Sequence, residues 1–249
     1  MEKLGKNWES LWPGDSIDII APGFRTKKEA LKAAIGRINE WPVYLNVPKN
    51  LYGPDVICSN SDSVRLKHLK EALTSKSKII WSVRAGYGSI RLLQDLMKMK
   101  KPKKPKLIVG YSDLTSLFSF VIKKWNWPVL HASLFEGWGL KKITPRDDKL
   151  LEKIFFGKIK EVEYVGLRAM NSAAREKNKI NSKVLCGNLT LFISTLKLPW
   201  QVDTRGSILF FEDIGERGYR IDRYLKLLEQ HGALKGVKAV VFGSFIECN

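Results

Sequence analysis

Long apolar runs are missing from this sequence. Its most apolar stretches, such as residues 79–83, fall far short of the roughly 18 residues that a membrane span requires. The opening residues Met1-Glu2-Lys3-Leu4-Gly5-Lys6 lack the apolar core of a signal peptide. Cysteine is scarce as well: Cys58, Cys186 and Cys248 are an odd number without paired, metal-type spacing, which argues against a disulfide framework or a zinc site. Together these absences predict a soluble, cytoplasmic protein with no membrane partner and no bound metal.

What is present is enough for a packed core. A chain of 249 residues with 44% hydrophobic content fits one large domain or two small ones. Lys and Arg number 43 against 25 Asp and Glu, a net charge of +18 that favours acidic partners. The densest patch is Lys98, Lys100, Lys101, Lys103, Lys104 and Lys106. Pro102 and Pro105 interrupt it and no aromatic residue is interleaved to stack a base, so a solvated loop is expected here and nucleic acid is not expected as a partner.

The chain alternates strand and helix patterns from the start. Residues 17–21 read as a strand closed by Pro22-Gly23, and apolar spacing over 27–41 reads as a helix ended by Pro42. A short strand over 43–47 precedes a second helix that Asp62 opens as an N-cap. The strand at 79–83 runs into Arg84-Ala85-Gly86-Tyr87-Gly88-Ser89 and a further helix. Two glycines in such a turn allow close approach of a ligand and leave N–H groups free for an anion, or simply make a tight loop. The strand at 107–109 then leads through Gly110-Tyr111-Ser112-Asp113 into a helix with Leu114, Leu117, Phe118, Val121 and Ile122 on one face. Residues 127–131 form another strand, and a helix follows from Thr144-Pro145 to about 156. The predicted fold class is α/β: an N-terminal open, mostly parallel sheet flanked by helices over 1–156, a crossover linker over 157–182, and a smaller α/β domain over 183–249. In that second domain Gly187-Asn188 opens a helix through Leu196, 207–211 is a strand ending in Glu212-Asp213, 219–230 is a helix and 237–242 a last strand.

Ser112 is the candidate on which chemistry can turn. At a sharp strand-to-helix turn its hydroxyl projects above the sheet, and N–H groups at the start of the next helix can stabilise an oxyanion. A serine before a helix also serves simply as an N-cap, so both readings stand on this stretch alone.

Five motifs taken in order carry a resemblance over nearly the whole chain. Gly110-Tyr111-Ser112-Asp113-Leu114-Thr115, Pro13-Gly14-Asp15 with Ile20-Ala21-Pro22, the 84–89 loop with Arg91-Leu92-Leu93, Gly187-Asn188-Leu189, and Leu209 to Ile214 with Tyr219-Arg220-Ile221-Asp222-Arg223 resemble those of the LD-carboxypeptidases, the family of muramoyltetrapeptide carboxypeptidases and microcin C7 self-immunity proteins. The resemblance implies a serine peptidase with a Ser-Glu-His triad, sited between an N-terminal α/β domain and a small C-terminal one. Carried over by position, Ser112 is the nucleophile, Glu212 the triad carboxylate, and the N–H groups of Gly86 and Asp113 the oxyanion hole. Arg84, Tyr87 and Asn188 are implied in substrate binding. No cofactor or metal is implied, and a murein peptide substrate and a homodimer are expected.

Two departures qualify the match. Ala85 stands where the family has a first loop glycine, which adds a methyl near the site. The family's histidine belongs to a Gly-His segment several tens of residues after a strand like Gly243-Ser244-Phe245, and none of His68, His131 and His231 fills that motif. The expectation is therefore a chain short at its C-terminus, with catalysis reduced. Three readings follow: removal of the terminal D-alanine from a cytoplasmic murein tetrapeptide, binding of muropeptides or a protein partner by an impaired relative, and hydrolysis of a microcin-type peptidyl nucleotide.

Overall fold

Strands that are apolar on both faces need helices on both sides, the condition that a parallel sheet satisfies. In the computed structural model, which describes residues 8–159, 161–176 and 179–248, the chain divides into two compact units, Asn7–Lys158 and Ile159–Asn249. The opening stretch Met1–Lys6 lies outside the described residues. In the first unit β1 (Ser16–Ile20), β2 (Tyr44–Asn46), β3 (Ile79–Ser82), β4 (Leu107–Gly110) and β5 (Val129–His131) make a wholly parallel sheet in the order β2-β1-β3-β4-β5. Chain order reverses at β1 and β3, so the crevice beyond their carboxyl ends is the expected ligand position of this topology.

The connecting helices are α1 (Lys28–Ile38), α2 (Asp62–Thr74), α3 (Ser89–Leu96) and α4 (Leu114–Trp125), followed by α5 (Phe135–Gly139) and α6 (Pro145–Phe155). α1 packs on α5, whereas α2 packs on α3 and α3 on α4. The register Ile17, Ile79, Leu107 and the register Ile19, Trp81, Val109 set six side chains into one core with Ala34, Ile38, Phe135, Trp138, Leu151 and Phe155. Trp81 is its centre. The ring lies 5.2 Å from Phe135, 5.3 Å from Trp138 and 5.1 Å from Phe155, and its N–H donates to the Ser133 carbonyl at 2.8 Å. A buried aromatic of this kind is worth about 3–5 kcal/mol against alanine.

The second unit holds α7 (Ser172–Glu176), β6 (Val184–Asn188), α8 (Leu189–Ile193), β7 (Ile208–Ile214), α9 (Gly218–Gln230) and β8 (Ala239–Ile246), with a parallel sheet in the order β6-β7-β8. Leu185, Leu189, Phe192, Leu209, Phe211 and Leu228 are buried in it. Among the described residues no helix is long and apolar enough to cross a membrane.

Several local expectations change. Asp62 is the first residue of α2 and not its cap, because its carboxylate is drawn to Arg65 and Arg91. β6 and α5 form where no element was expected, α7 forms within the stretch read as a linker, α8 stops at Ile193, and β7 runs on through Glu212 and Asp213. Lys106 leaves the solvated basic loop, since it precedes β4 and turns inward, while Lys98, Lys100, Lys101, Lys103 and Lys104 stay exposed.

Lys106 closes a buried polar network on the face of β1 opposite the aromatic core. Its Nζ donates to the Ser75 carbonyl at 2.9 Å and lies 3.7 Å from Asp18 Oδ2, while Asp18 Oδ1 accepts from Asn46 at 2.8 Å and from Ser77 at 3.0 Å. Burial pushes the Lys106 ammonium down from 10.5 to about 8, with Asp18 acting against it. Below that value both folded and unfolded chains hold the proton; above it only the unfolded chain does, up to 10.5, so stability contributed by this group rises with pH across that window. Chemical denaturation between pH 7 and 11 should accordingly give wild type a steeper rise, or a shallower fall, than Lys106→Met between about pH 8 and pH 10.5, and parallel profiles would refute the assignment.

Candidate active site

A serine becomes prominent when the backbone cannot bury it in a regular element. β4 ends at Gly110 and α4 begins at Leu114, and Ser112 makes the turn between them with φ 58°, a left-handed conformation that costs a residue with a Cβ about 1–2 kcal/mol. No side chain caps α4. Ser112 is therefore no N-cap, and it stands half-exposed at the carboxyl edge of the sheet. Tyr111 beside it is exposed, and its ring lies 6.0 Å from His131, which pairs with Gly110 in register.

Asp113 ties this turn to the loop after β3. Its buried carboxylate accepts from the Gly88 N–H at 3.2 Å, the Ser89 N–H at 2.8 Å and the Ser89 hydroxyl at 2.6 Å. The α3 terminus, read above as open to an anion, is thus occupied by a carboxylate of the chain itself. Burial raises the Asp113 carboxyl above the ordinary value, opposed by these donors and by Arg65. From the other side the buried Arg65 guanidinium donates to the carbonyls of Gly88 at 3.0 Å and Asn60 at 2.9 Å, and also to Pro22. Gly88 has φ +138°, and a Cβ there would sit 2.7 Å from Arg65 Nη1 and 2.9 Å from Cys58 Sγ. Gly86 has φ +91°, and a Cβ would strike the Phe24 ring at 2.2 Å. Phe24 itself donates its N–H to Ala85 O at 2.9 Å. Among the described residues neither Gly86 nor Asp113 gives its N–H to a backbone carbonyl.

Arg84 follows β3 as Ser112 follows β4. Trp81 pairs with Val109, so each stands three residues beyond a paired position on neighbouring strands. The half-exposed Arg84 guanidinium is 3.6 Å from the Glu136 carboxylate. Glu136 in turn accepts from the buried Thr26 hydroxyl, and its N–H donates to Val83 O at 3.2 Å. Burial raises the Glu136 carboxyl, with Arg84 and Lys142 opposing. Tyr87 is exposed in the same loop.

The remaining site candidates lie in the second unit. Asn188 and Glu212 are paired in register on β6 and β7. Asn188 is buried, with its amide donating to Asp213 Oδ1 at 2.8 Å and its carbonyl accepting from the Leu191 N–H at 3.1 Å. Asp213 also accepts from the N–H and hydroxyl of Thr190 at 3.0 and 2.8 Å, fastening α8. Glu212 alternates to the other face of β7, next to the register irregularity between Phe211 and Asp213. Of the other imidazoles, His68 is buried on α2 with Nε2 2.9 Å from Asn50 Oδ1, and His231 ends α9.

Residues 84–89, 110–113, 22–24 and 136 are thus brought together in the first unit, and 188 with 212–213 in the second. Sequence reasoning missed Arg65, Thr26 and Glu136. The spacing of Asp62 and Arg65, one turn apart on α2, was the available signal for the first, and nothing local marked the other two.

These features define an α/β protein whose open parallel sheet carries a serine at a left-handed turn beyond a strand end. The LD-carboxypeptidase N-terminal domain matches residues 17–132 and the LD-carboxypeptidase C-terminal domain matches 181–249. A Rickettsia conorii protein named provisionally as a carboxypeptidase is 36% identical over 235 residues, 92% of this chain and 73% of its own. The chain belongs to the LD-carboxypeptidase family. Among solved structures, the muramoyltetrapeptide carboxypeptidase of Oxalobacter formigenes is similar with TM-score 0.79 and 27% identity, over 94% of this chain and 78% of that one. An MccF-like protein of Bacillus anthracis shares the fold with TM-score 0.80 and 22% identity, over 97% and 81%.

Removing the Asp113 carboxylate strands two buried N–H groups. Asp113→Ala should lower the unfolding free energy by about 3 kcal/mol, and amide exchange at Gly88 and Ser89 should rise above that of the β3 core. Exchange that is unchanged at those two amides would refute the clamp.

Proposed function

We propose that this protein is a serine-type LD-carboxypeptidase that removes the terminal D-alanine from a murein tetrapeptide, in the setting of cytoplasmic peptidoglycan recycling. The observation that carries the reading is Ser112, held at φ 58° at the carboxyl edge of β4 and tied through Asp113 to the loop of Gly86. The likeness to the muramoyltetrapeptide carboxypeptidase of Oxalobacter formigenes supports the substrate class.

In this proposal the Ser112 hydroxyl attacks the carbonyl between meso-diaminopimelate and D-alanine, and its proton passes to a base. The oxyanion is met by the N–H groups of Gly86 and Asp113, which must aim at one oxygen to be effective. Collapse expels D-alanine, whose amine takes the proton, and water then hydrolyses the serine ester. The family resemblance gives Glu212 the role of the triad carboxylate, the group that orients an imidazole and stabilises its charged form. Arg84 and Tyr87 bind the peptide, and Asn188, given a substrate-binding role by the resemblance, is instead assigned to positioning, since its buried amide is engaged by Asp213 beside Glu212. No cofactor takes part.

A second reading is binding of the same peptides without turnover, and it turns on which group serves as the base. His68 is buried against Asn50, His231 ends α9, and His131 is a strand residue beside Gly110.

D-Alanine release from the tetrapeptide separates the two. Release that falls at least about a thousandfold in Ser112→Ala supports the carboxypeptidase. Saturable binding with release equal in wild type and Ser112→Ala supports the second reading, and release that is robust yet lost in His131→Ala gives His131 the role of base.

A further inference from the structure

A carboxypeptidase differs from an endopeptidase in one respect that the site must express: the residue leaving carries a free carboxylate. Within the first unit Arg84 stands three residues past the Trp81–Val109 pair on the β3 side, as Ser112 does on the adjacent β4 side. Its backbone is anchored and its guanidinium has an acidic neighbour. The Arg84 carbonyl accepts from the Ser82 hydroxyl at 2.9 Å, which holds the backbone, and one guanidinium nitrogen lies 3.6 Å from Glu136 Oε1. Glu136 is itself fixed by the buried Thr26 hydroxyl and by its own N–H on Val83 O at 3.2 Å. The Arg84 side chain is nevertheless 44% exposed, whereas that of Glu136 is 17% exposed. The face of the guanidinium away from Glu136 is thus available to an anion, in the planar fork geometry that suits a carboxylate.

The competing cations are poorer candidates. The Arg65 guanidinium is buried and spent on three carbonyls and Asp62, and Arg91 is paired with Asp62 at 2.9 Å. Arg25 gives one nitrogen to the carbonyls of Gly53 at 2.7 Å and Asp55 at 2.6 Å.

We propose that Arg84 reads the free carboxylate of the departing C-terminal residue and that the Glu136 carboxylate beside it limits the strength of that capture. This inference rests on the carboxypeptidase reading of the same site. Glu136 is a like charge to the ligand, so it weakens the grip on the carboxylate and favours release of the product amino acid after cleavage. It also disfavours a dianion such as a phosphate more than a single carboxylate, which selects the peptide terminus over a nucleotide end.

The test is binding, measured by titration calorimetry on the Ser112→Ala protein so that turnover does not intervene. Its probes are the murein tetrapeptide with a free terminal carboxylate and the same peptide with a terminal carboxamide, which differ only in the charge that Arg84 is said to read. The acid should bind about tenfold to a hundredfold tighter than the amide, the range of a charge-assisted hydrogen-bonded pair. Adding Arg84→Met should bring the two affinities within about twofold, while Arg84→Lys keeps part of the preference and shows that the fold tolerates change there. Adding Glu136→Gln should tighten the acid about twofold to tenfold and leave the amide unchanged. Equal affinities for acid and amide, or a preference that survives Arg84→Met, overturn the inference while the substrate reading stands. A Glu136→Gln protein that binds the acid no tighter removes the limiting role. Binding of neither peptide overturns the substrate reading, and this inference with it.

Discussion

The backbone of Gly88 is held between two buried charges of opposite sign. Its N–H faces the Asp113 carboxylate and its carbonyl faces the Arg65 guanidinium, at 3.2 and 3.0 Å. Each charge is expensive to bury and is satisfied by backbone groups of other loops, so removing either one leaves the buried backbone groups that face it without a partner, at a cost of about 1–3 kcal/mol for each group. Through these two side chains the turns after β1, β3 and β4 and the start of α2 become one rigid rim. The left-handed conformation at Ser112 persists because this rim over-determines it.

The second unit repeats the device with different residues. Asp213 on β7 receives the N–H and hydroxyl of Thr190 and the amide of Asn188, as Asp113 receives those of Ser89 and the N–H of Gly88. In both places a buried acid satisfies the orphan donors of a helix that follows the neighbouring strand. The consequence for chemistry is local. The residue beside each acid, Ser112 in one unit and Glu212 in the other, is placed by a constraint that its own side chain does not supply.

Residue types placed for stability and for function therefore interleave along short segments. In Arg84 to Ser89, Ser89 and Gly88 serve the clamp, Gly86 fits against Phe24, and Arg84 and Tyr87 stay accessible. Ala85 adds its methyl inward, where it is buried, and its carbonyl accepts from Phe24. The departure from the family's glycine is thus accommodated within the loop's own packing.

The alternation of strand and helix, the parallel sheet and the turn at Ser112 were legible in the sequence, because each depends on periodicity and turn chemistry within about fifteen residues. So were Gly86 and Gly88, whose side-chain absence is itself the signal. Lys106 in the core, Arg65 under three loops and Glu136 beside Arg84 were not, since a charged residue reads as surface until its partners are known, and those partners lie far away along the chain: Asp18, Pro22 and Thr26. The short β6 was hidden for the same reason, as its pairing with β7 and not its own pattern makes it a strand. The sequence by itself determined most of the elements and the family. Only the tertiary structure decided which buried charges meet, because electrostatic partners are chosen by proximity across strands and loops, which no local pattern records.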